Sequence, residues 1–168
     1  MFEVLNKSDD ELLKECEVHT DRGAGPGGSK ADTSETAVSI THGPSDVSAR
    51  SSKTRSQHKN KEIALKKLRR AYALKVRHDV DPDAISIPPS LDEYVSKDLS
   101  INPDNRWYPF LVKLILDVFV EYDGQVSSTA EFLDVSTGKL VKFFNRDQSL
   151  WKRVNELREE FGHRKLRS

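Results

Sequence analysis

The chain has 168 residues, enough for one ordinary domain or two small ones, and carries 27 basic and 27 acidic side chains. No apolar run is long enough to span a membrane, and the first residues lack the apolar core of a signal peptide. A single cysteine, Cys16, excludes an internal disulfide framework, and the five histidines form no metal-ligand pattern. We therefore expect a cytoplasmic protein that binds no membrane, metal or cofactor, and we expect it to be a monomer.

The zero net charge hides a strong local asymmetry. The formal net charge is −5 over residues 1–21, +9 over residues 22–78 and −4 over residues 79–168. Between Lys53 and Arg77, ten basic side chains stand against one acidic residue. Such a basic stretch indicates a polyanionic partner, most often nucleic acid.

The first part of the chain predicts a short helix and three strands. Ser8 and Glu11 form a capping box that predicts a helix from about residue 9 to 15, and the strand CEVHT follows. After the glycine-rich stretch RGAGPGGSKADTS, the alternating TAVSITH predicts a half-buried strand, and VSARS predicts a weaker one.

From Arg55 to about His78 the apolar period becomes helical. The apolar side chains that share one face of this helix are Leu65, Leu68, Tyr72 and Val76. The basic side chains that share another face are Lys59, Lys66, Arg70 and Arg77. The fold class predicted for residues 1–78 is therefore α+β, with a small antiparallel sheet packed against one long basic helix.

Residues 79–106 contain four of the seven prolines and show little periodicity, so the sequence predicts a linker that follows the surface. Residues 107–168 carry several apolar stripes at helical spacing and predict an all-α module.

Within this module, AEFLDVSTGKL has the spacing of a helix-turn-helix. Asp134 takes the turn position, where the backbone must be left-handed. The second helix, from about residue 137 to 144, would present Lys139, Lys142 and, just beyond it, Arg146. A three-helix packing unit without nucleic-acid contact is the alternative, and the sequence leaves both open.

Four of the eight glycines lie between Gly23 and Gly28. Glycines concentrate where the backbone needs positive φ or must approach a ligand closely, and adjacent glycines can direct bare amides at an oxygen atom. No Gly-Lys-Ser/Thr ending and no predicted helix follow the glycines, so the sequence does not favour a nucleotide-binding phosphate loop. The glycines alone favour a surface loop over an oxyanion site.

The residues around the loop change this interpretation. From Arg22 to about Tyr72, the chain resembles without a gap the catalytic domain of class I peptide chain release factors. The matching positions are Gly25-Pro26-Gly27-Gly28, Ala37-Val38, Thr41-His42, Pro44, Arg55-Ser56-Gln57, Asn60 and Ala64-Leu65.

The resemblance implies a function at the ribosome. In this family the GGQ loop enters the peptidyl-transferase centre of the large subunit and promotes the attack of water on the peptidyl-tRNA ester. Its catalytic positions fall on Gly27, Gly28 and Ser29, where a backbone amide would stabilise the negative oxygen of the tetrahedral intermediate. The resemblance and the basic face together give an RNA-binding set: Arg22, Arg55, Gln57, Lys59, Asn60, Lys66, Arg70 and Arg77.

The chain departs from the family pattern in the loop. Ser29 stands where the family has glutamine; it keeps a backbone amide but loses the side-chain reach that helps to order water. Residues 31–34 read Ala-Asp-Thr-Ser in place of Val-Asn-Lys-Thr, which removes a cation near RNA. The sequence therefore leaves open whether hydrolysis is retained.

Standard release factors also carry large domains that read the stop codon, and 168 residues leave no room for them beside the catalytic domain. The resemblance thus implies a short, codon-independent relative that rescues stalled ribosomes, with large-subunit rRNA and peptidyl-tRNA as partners. Two other functions stay open: ribosome or RNA binding without hydrolysis, and DNA-binding regulation through the helical module. In any of these, the module could add a nucleic-acid contact.

Overall fold

The computed structural model describes residues 1–22 and 36–167. It divides into two compact units: Glu3–Tyr72 form the first, and Met1–Phe2 together with Ala73–Ser168 form the second. Both helices and a sheet are present, which confirms the predicted α+β class. Within the described residues, no helix is both long and apolar enough to cross a membrane.

The first unit is a three-stranded antiparallel sheet with helices before and after it. The elements are α1 (Glu3–Asn6), α2 (Asp9–Leu13), β1 (Cys16–Arg22), β2 (Thr36–His42), β3 (Val47–Ser51) and α3 (Gln57–Lys75). The strands lie in the order β1-β2-β3, and β2 pairs with both neighbours. The capping box is confirmed, since Ser8 Oγ accepts from the Glu11 amide and Glu11 Oε2 accepts from the Ser8 amide. The helix α1 was not predicted.

The core of this unit forms between β2 and one face of α3. Val38 and Ile40 of β2 are fully buried, as are Ala64 and Leu68 of α3. The helix ends at Lys75, three residues earlier than predicted. It ends there because the residues that follow interact with Asp117 and do not continue the helix: the Arg77 guanidinium and the His78 amide both contact its carboxylate.

The second unit is all-helical. Its helices are α4 (Pro89–Ser96), α5 (Tyr108–Glu121), α6 (Val126–Phe132), α7 (Thr137–Asn145) and α8 (Gln148–Glu160). Phe2 belongs to this unit, and its ring centroid lies 5.5 Å from that of Phe110.

The segment expected to be a linker contains α4 and contributes to the core of the second unit. Leu91 and Val95 of α4 are buried, and so are Leu99 and Ile101 after it. The prolines that suggested a linker act here as a helix start, because Pro89 occupies the first helical position, where a missing amide proton costs nothing. The spacing of Leu91 and Val95 is the only helical signal in eight residues, too short to stand out in the sequence.

Helix α5 lies at the centre of the second unit. The sequence predicted one apolar stripe, but every residue from Tyr108 to Phe119 is buried, including Lys113 and Asp117. These two side chains form an ion pair one helical turn apart, and Arg77 Nη1 lies 3.0 Å from Asp117 Oδ1. Burial is the main cause that lowers the pKa of Lys113 to about 8.

This arrangement predicts unequal effects for the two members of the ion pair. Lys113→Met should leave the free energy of unfolding near pH 7 within about 1 kcal/mol of the wild-type value or raise it, because Arg77 still neutralises Asp117. Asp117→Asn should lower it by about 3–5 kcal/mol, since two buried cations lose their carboxylate. Urea unfolding of both variants measures the difference.

The lowered pKa of Lys113 also fixes the sign of a pH dependence. Between about pH 8 and 10.5 the unfolded chain holds a lysine proton that the folded chain has lost, so stability should rise with pH by up to about 3 kcal/mol. Lys113→Met is the matched control, because it keeps every other titrating group. A wild-type minus variant difference that stays constant across this range would show that Lys113 remains charged when folded.

A third prediction concerns the place of α4 in the core. Leu91→Ala should lower the free energy of unfolding by about 2–4 kcal/mol, because it opens a cavity at a side chain that is 1% exposed. Ile87→Ala, two residues before the helix, should cost about 1 kcal/mol or less, because Ile87 is only half-buried. Equal small effects at both positions would instead indicate a surface linker.

Candidate functional site

The predicted catalytic residues Gly27, Gly28 and Ser29 lie outside the described residues, but both strands that flank them are described. β1 and β2 pair in register from Cys16 opposite His42 to Arg22 opposite Thr36. Arg22 is the last residue of β1, and Thr36 is the first residue of β2. The chain thus leaves and re-enters the sheet at directly opposed positions.

Asn60, predicted to bind RNA, is instead fully buried beside the start of β2. Its Nδ2 donates to the Thr36 carbonyl at 2.6 Å and to the Thr54 carbonyl at 2.7 Å. Its Oδ1 accepts from the Thr54 amide at 2.9 Å and from the Thr54 hydroxyl at 3.2 Å. The side chain therefore joins the start of β2 to the turn before α3, and its exposed area is too small for RNA contact.

Helix α3 separates its basic residues from its buried ones. Lys59, Lys66 and Arg70 are spaced by seven and four residues and lie opposite the side that buries Leu68. Lys59 and Lys66 are exposed, and Arg70 is half-buried. Among the described residues, none forms an ion pair with Lys59 or Lys66. Arg55, before the helix, and Gln57, its first residue, are exposed, whereas of Arg22 only the backbone is described.

Arg77 does not continue the basic face. It lies two residues beyond the end of α3, in the second unit, and its side chain is 16% exposed. Its guanidinium pairs with Asp117 and also donates to the Ala73 carbonyl. The prediction that Arg77 shares a helical face with Lys59 is wrong, because a buried carboxylate attracts its guanidinium after the helix has ended.

His42, at the end of β2, belongs to a hydrogen-bonded chain that the sequence did not reveal. The imidazole is 2% exposed; its Nδ1 lies 2.7 Å from Ser45 Oγ and its Nε2 lies 3.2 Å from Glu15 Oε2. Lys7 Nζ donates to the other oxygen of Glu15 at 2.5 Å. The hydrogen bond from Lys7, and then that from His42, lower the pKa of Glu15. These contacts hold the turn Gly43–Ser45 against the sheet, as expected of a structural histidine.

In the second unit, α6 and α7 form the helix-turn-helix shape that the sequence suggested. Asp134 has a left-handed backbone, with φ of 51°, as predicted for the turn position. Two of the three cations expected on α7 bind within the unit: Lys139 pairs with Asp98 at 2.5 Å, and Arg146 donates to the Leu99 carbonyl at 3.1 Å. Lys142 is exposed and pairs with no described residue.

Within residues 1–22 and 36–167, no group of three or more histidine, cysteine, aspartate or glutamate side chains is placed to hold a metal ion.

Comparison with known proteins supports the resemblance drawn from the motifs. A family model described as the RF-1 domain matches residues 10–83. The chain is 42% identical to peptide chain release factor RF2 of Thermus thermophilus over 78 residues, which cover 43% of this chain and 21% of that protein. It is 37% identical to the mitochondrial peptide chain release factor 1-like protein of Rattus norvegicus over 67 residues, covering 39% and 18% of the two chains.

A longer match is to peptide chain release factor 2 of Haemophilus influenzae, with 33% identity over 114 residues, or 60% of this chain and 31% of that protein. The chain thus spans between 18% and 31% of the length of these relatives. No solved structure matches it. The sheet and basic helix of the first unit lie within the residues that match the RF-1 domain, and this is the part of the chain that is similar to class I peptide chain release factors.

Proposed function

We propose that this protein promotes codon-independent hydrolysis of peptidyl-tRNA on stalled ribosomes. The observation that carries the proposal is the basic face of α3, where Lys59 and Lys66 are exposed and Arg70 is half-buried, within an RF-1 domain whose two flanking strands lead to Gly27 and Gly28. On this view Lys59, Lys66 and Arg70 contact phosphates of the large-subunit rRNA, and Arg55 and Gln57 extend the contact. The protein acts as a cytoplasmic monomer, and its partners are the ribosome and peptidyl-tRNA.

Hydrolysis of the peptidyl-tRNA ester can be promoted by a backbone amide without a catalytic side chain. Water attacks the ester carbonyl, and negative charge develops on the carbonyl oxygen; a preorganised amide directed at this oxygen lowers the barrier. Ser29 has such an amide, since only proline lacks one. Gly27 and Gly28 allow the backbone close to the reacting atoms, where a Cβ would be in the way.

The first alternative is a release-factor relative that binds ribosomes or RNA without hydrolysis. The feature that favours it is Ser29 itself, because serine lacks the reach of the family's glutamine. The second alternative, a DNA-binding regulator acting through α7, is less well supported, because Lys139 and Arg146 already have partners within their own unit. A nucleic-acid contact by α7 would depend chiefly on Lys142.

Release of a labelled peptide from ribosomes stalled without a codon in the decoding site is the direct test. We expect release to depend on the protein and not on a stop codon. Binding to such ribosomes without release would favour the first alternative. Failure to co-sediment with ribosomes in moderate salt, combined with binding to duplex DNA, would favour the second.

A fourth prediction concerns the basic face. Replacing Lys59, Lys66 and Arg70 together by alanine should weaken ribosome binding and reduce the magnitude of its salt slope by about 2, because each phosphate contact releases counterions. A matched control removes three exposed cations of the second unit, Lys97, Lys152 and Lys165, and should change the slope by less than about 1. If the two triple variants change the salt slope equally, the basic face is solvent-exposed surface that does not contact the ribosome.

A fifth prediction separates the Ser29 amide from its hydroxyl. Ser29→Ala should keep most of the release activity, whereas Gly28→Ala should lower it by about a hundred- to a thousandfold, the cost of one misplaced oxyanion donor. Ser29→Gln should raise the rate if the serine has lost only the ordering of water. The reverse result, an inactive Ser29→Ala with an active Gly28→Ala, would make the hydroxyl the reacting group.

A further inference from the structure

We infer that Asn60 is a positioning residue, which fixes the strand end that follows the catalytic loop, and that it does not contact RNA. This inference rests on the proposed function, because positioning matters only if residues 27–29 act in release. Four observations carry it: the burial of Asn60, the number of its hydrogen bonds, the segments that it joins, and the local network around Thr54.

The first step is that the Asn60 amide is fully used inside the protein. It is 0% exposed, both of its donor positions reach carbonyls, and its oxygen accepts twice from Thr54. A buried side-chain amide with this many partners is costly to disturb, because each lost bond leaves a polar group in a low-dielectric interior. No donor remains for a phosphate or a base.

The second step is that its partners are distant in the chain. Thr36 lies 24 residues before Asn60 and directly follows residues 23–35, which contain the predicted catalytic residues. The backbone bonds between β1 and β2 set the register at Arg22 and Thr36, but they do not connect this end of the sheet to α3. The bond from Asn60 Nδ2 to the Thr36 carbonyl makes that connection.

The third step is that Asn60 couples this strand end to the turn before α3. Thr54 Oγ1 donates to the Ser56 carbonyl at 3.1 Å and accepts from the Ser56 amide at 3.2 Å. The Thr54 hydroxyl that closes this turn is thus the one that also bonds to Asn60. Arg55, which the proposed function places on RNA, lies in this turn. The buried side chain of Asn60 therefore holds both the start of β2 and the turn that contains Arg55.

The variant Asn60→Asp tests the inference, because it keeps the shape and the acceptor but loses the donors to Thr36 and Thr54. We expect the maximal rate of peptide release to fall by about ten- to a hundredfold, the effect of a small misplacement of catalytic groups. The affinity for ribosomes should change by less than about threefold, since no phosphate contact is removed. A parallel loss of affinity with an unchanged maximal rate would overturn the inference and return Asn60 to the RNA-binding set.

Two controls make the test specific. Thr54→Val removes the hydroxyl and its bonds to Ser56 but leaves the Thr36 bond, so its maximal rate should fall by much less than that of Asn60→Asp. Asn155→Asp is the matched change in the second unit, where Nδ2 of a buried asparagine donates to the Trp151 carbonyl, and it should not affect the maximal rate. If either control lowers the rate as much as Asn60→Asp, the effect is general destabilisation and the inference fails.

Asn60→Ser replaces Asn60→Asp if the latter does not fold, because a hydroxyl is too short to reach Thr36 and water can occupy the vacated volume. Hydrogen exchange of the Thr54 amide provides a readout without release. It should be faster by about tenfold or more in Asn60→Ser, in which that amide loses its acceptor. An unchanged exchange rate of the Thr54 amide in Asn60→Ser would overturn the inference. If exchange is faster in Asn60→Ser but the wild-type protein releases no peptide, only the proposed function is overturned.

Discussion

The hydrogen bonds of the buried Asn60 amide fix the geometry of the first unit where apolar contacts cannot. Apolar packing between β2 and α3 sets their separation but tolerates small sliding and twisting, because the hydrophobic effect has no direction. A side-chain amide is directional and both donates and accepts. By holding carbonyls of Thr36 and Thr54 at 2.6 and 2.7 Å, Asn60 fixes a strand end and a turn against the same helix.

The basic character of the first unit divides between structural and exposed cations. Arg69 bonds to Asp9 and to the Lys7 carbonyl, and Lys67 donates to the Arg50 carbonyl. These side chains stabilise the unit, whereas Lys59 and Lys66 stay exposed without a described ion-pair partner. The net charge of a segment therefore overstates its binding surface.

The second unit uses charge in a different way. Lys113, Asp117 and Arg77 form a buried cluster in which one carboxylate serves two cations, at the centre of an otherwise apolar helix. Asp98 and Leu99 both have left-handed backbone, which is unfavourable for a leucine. Burial of the Leu99 side chain, together with contacts from Lys139 and Arg146, holds this turn. The cations of a helix-turn-helix can thus stabilise the unit that carries them.

The sequence by itself determined most of the local elements and the resemblance to release factors. Features that depend on residues within a few positions of one another could be predicted from short sequence patterns. These features are the Ser8–Glu11 capping box, the alternation in β2, the apolar stripe of α3 and the left-handed backbone of Asp134. Only the tertiary structure decided which side chains face inward. The roles of Asn60 and Arg77 depend on partners 24 and 40 residues away, Thr36 and Asp117. Helix α4 likewise exists because Leu91 and Val95 find a core to enter, and no short-range pattern records such a contact.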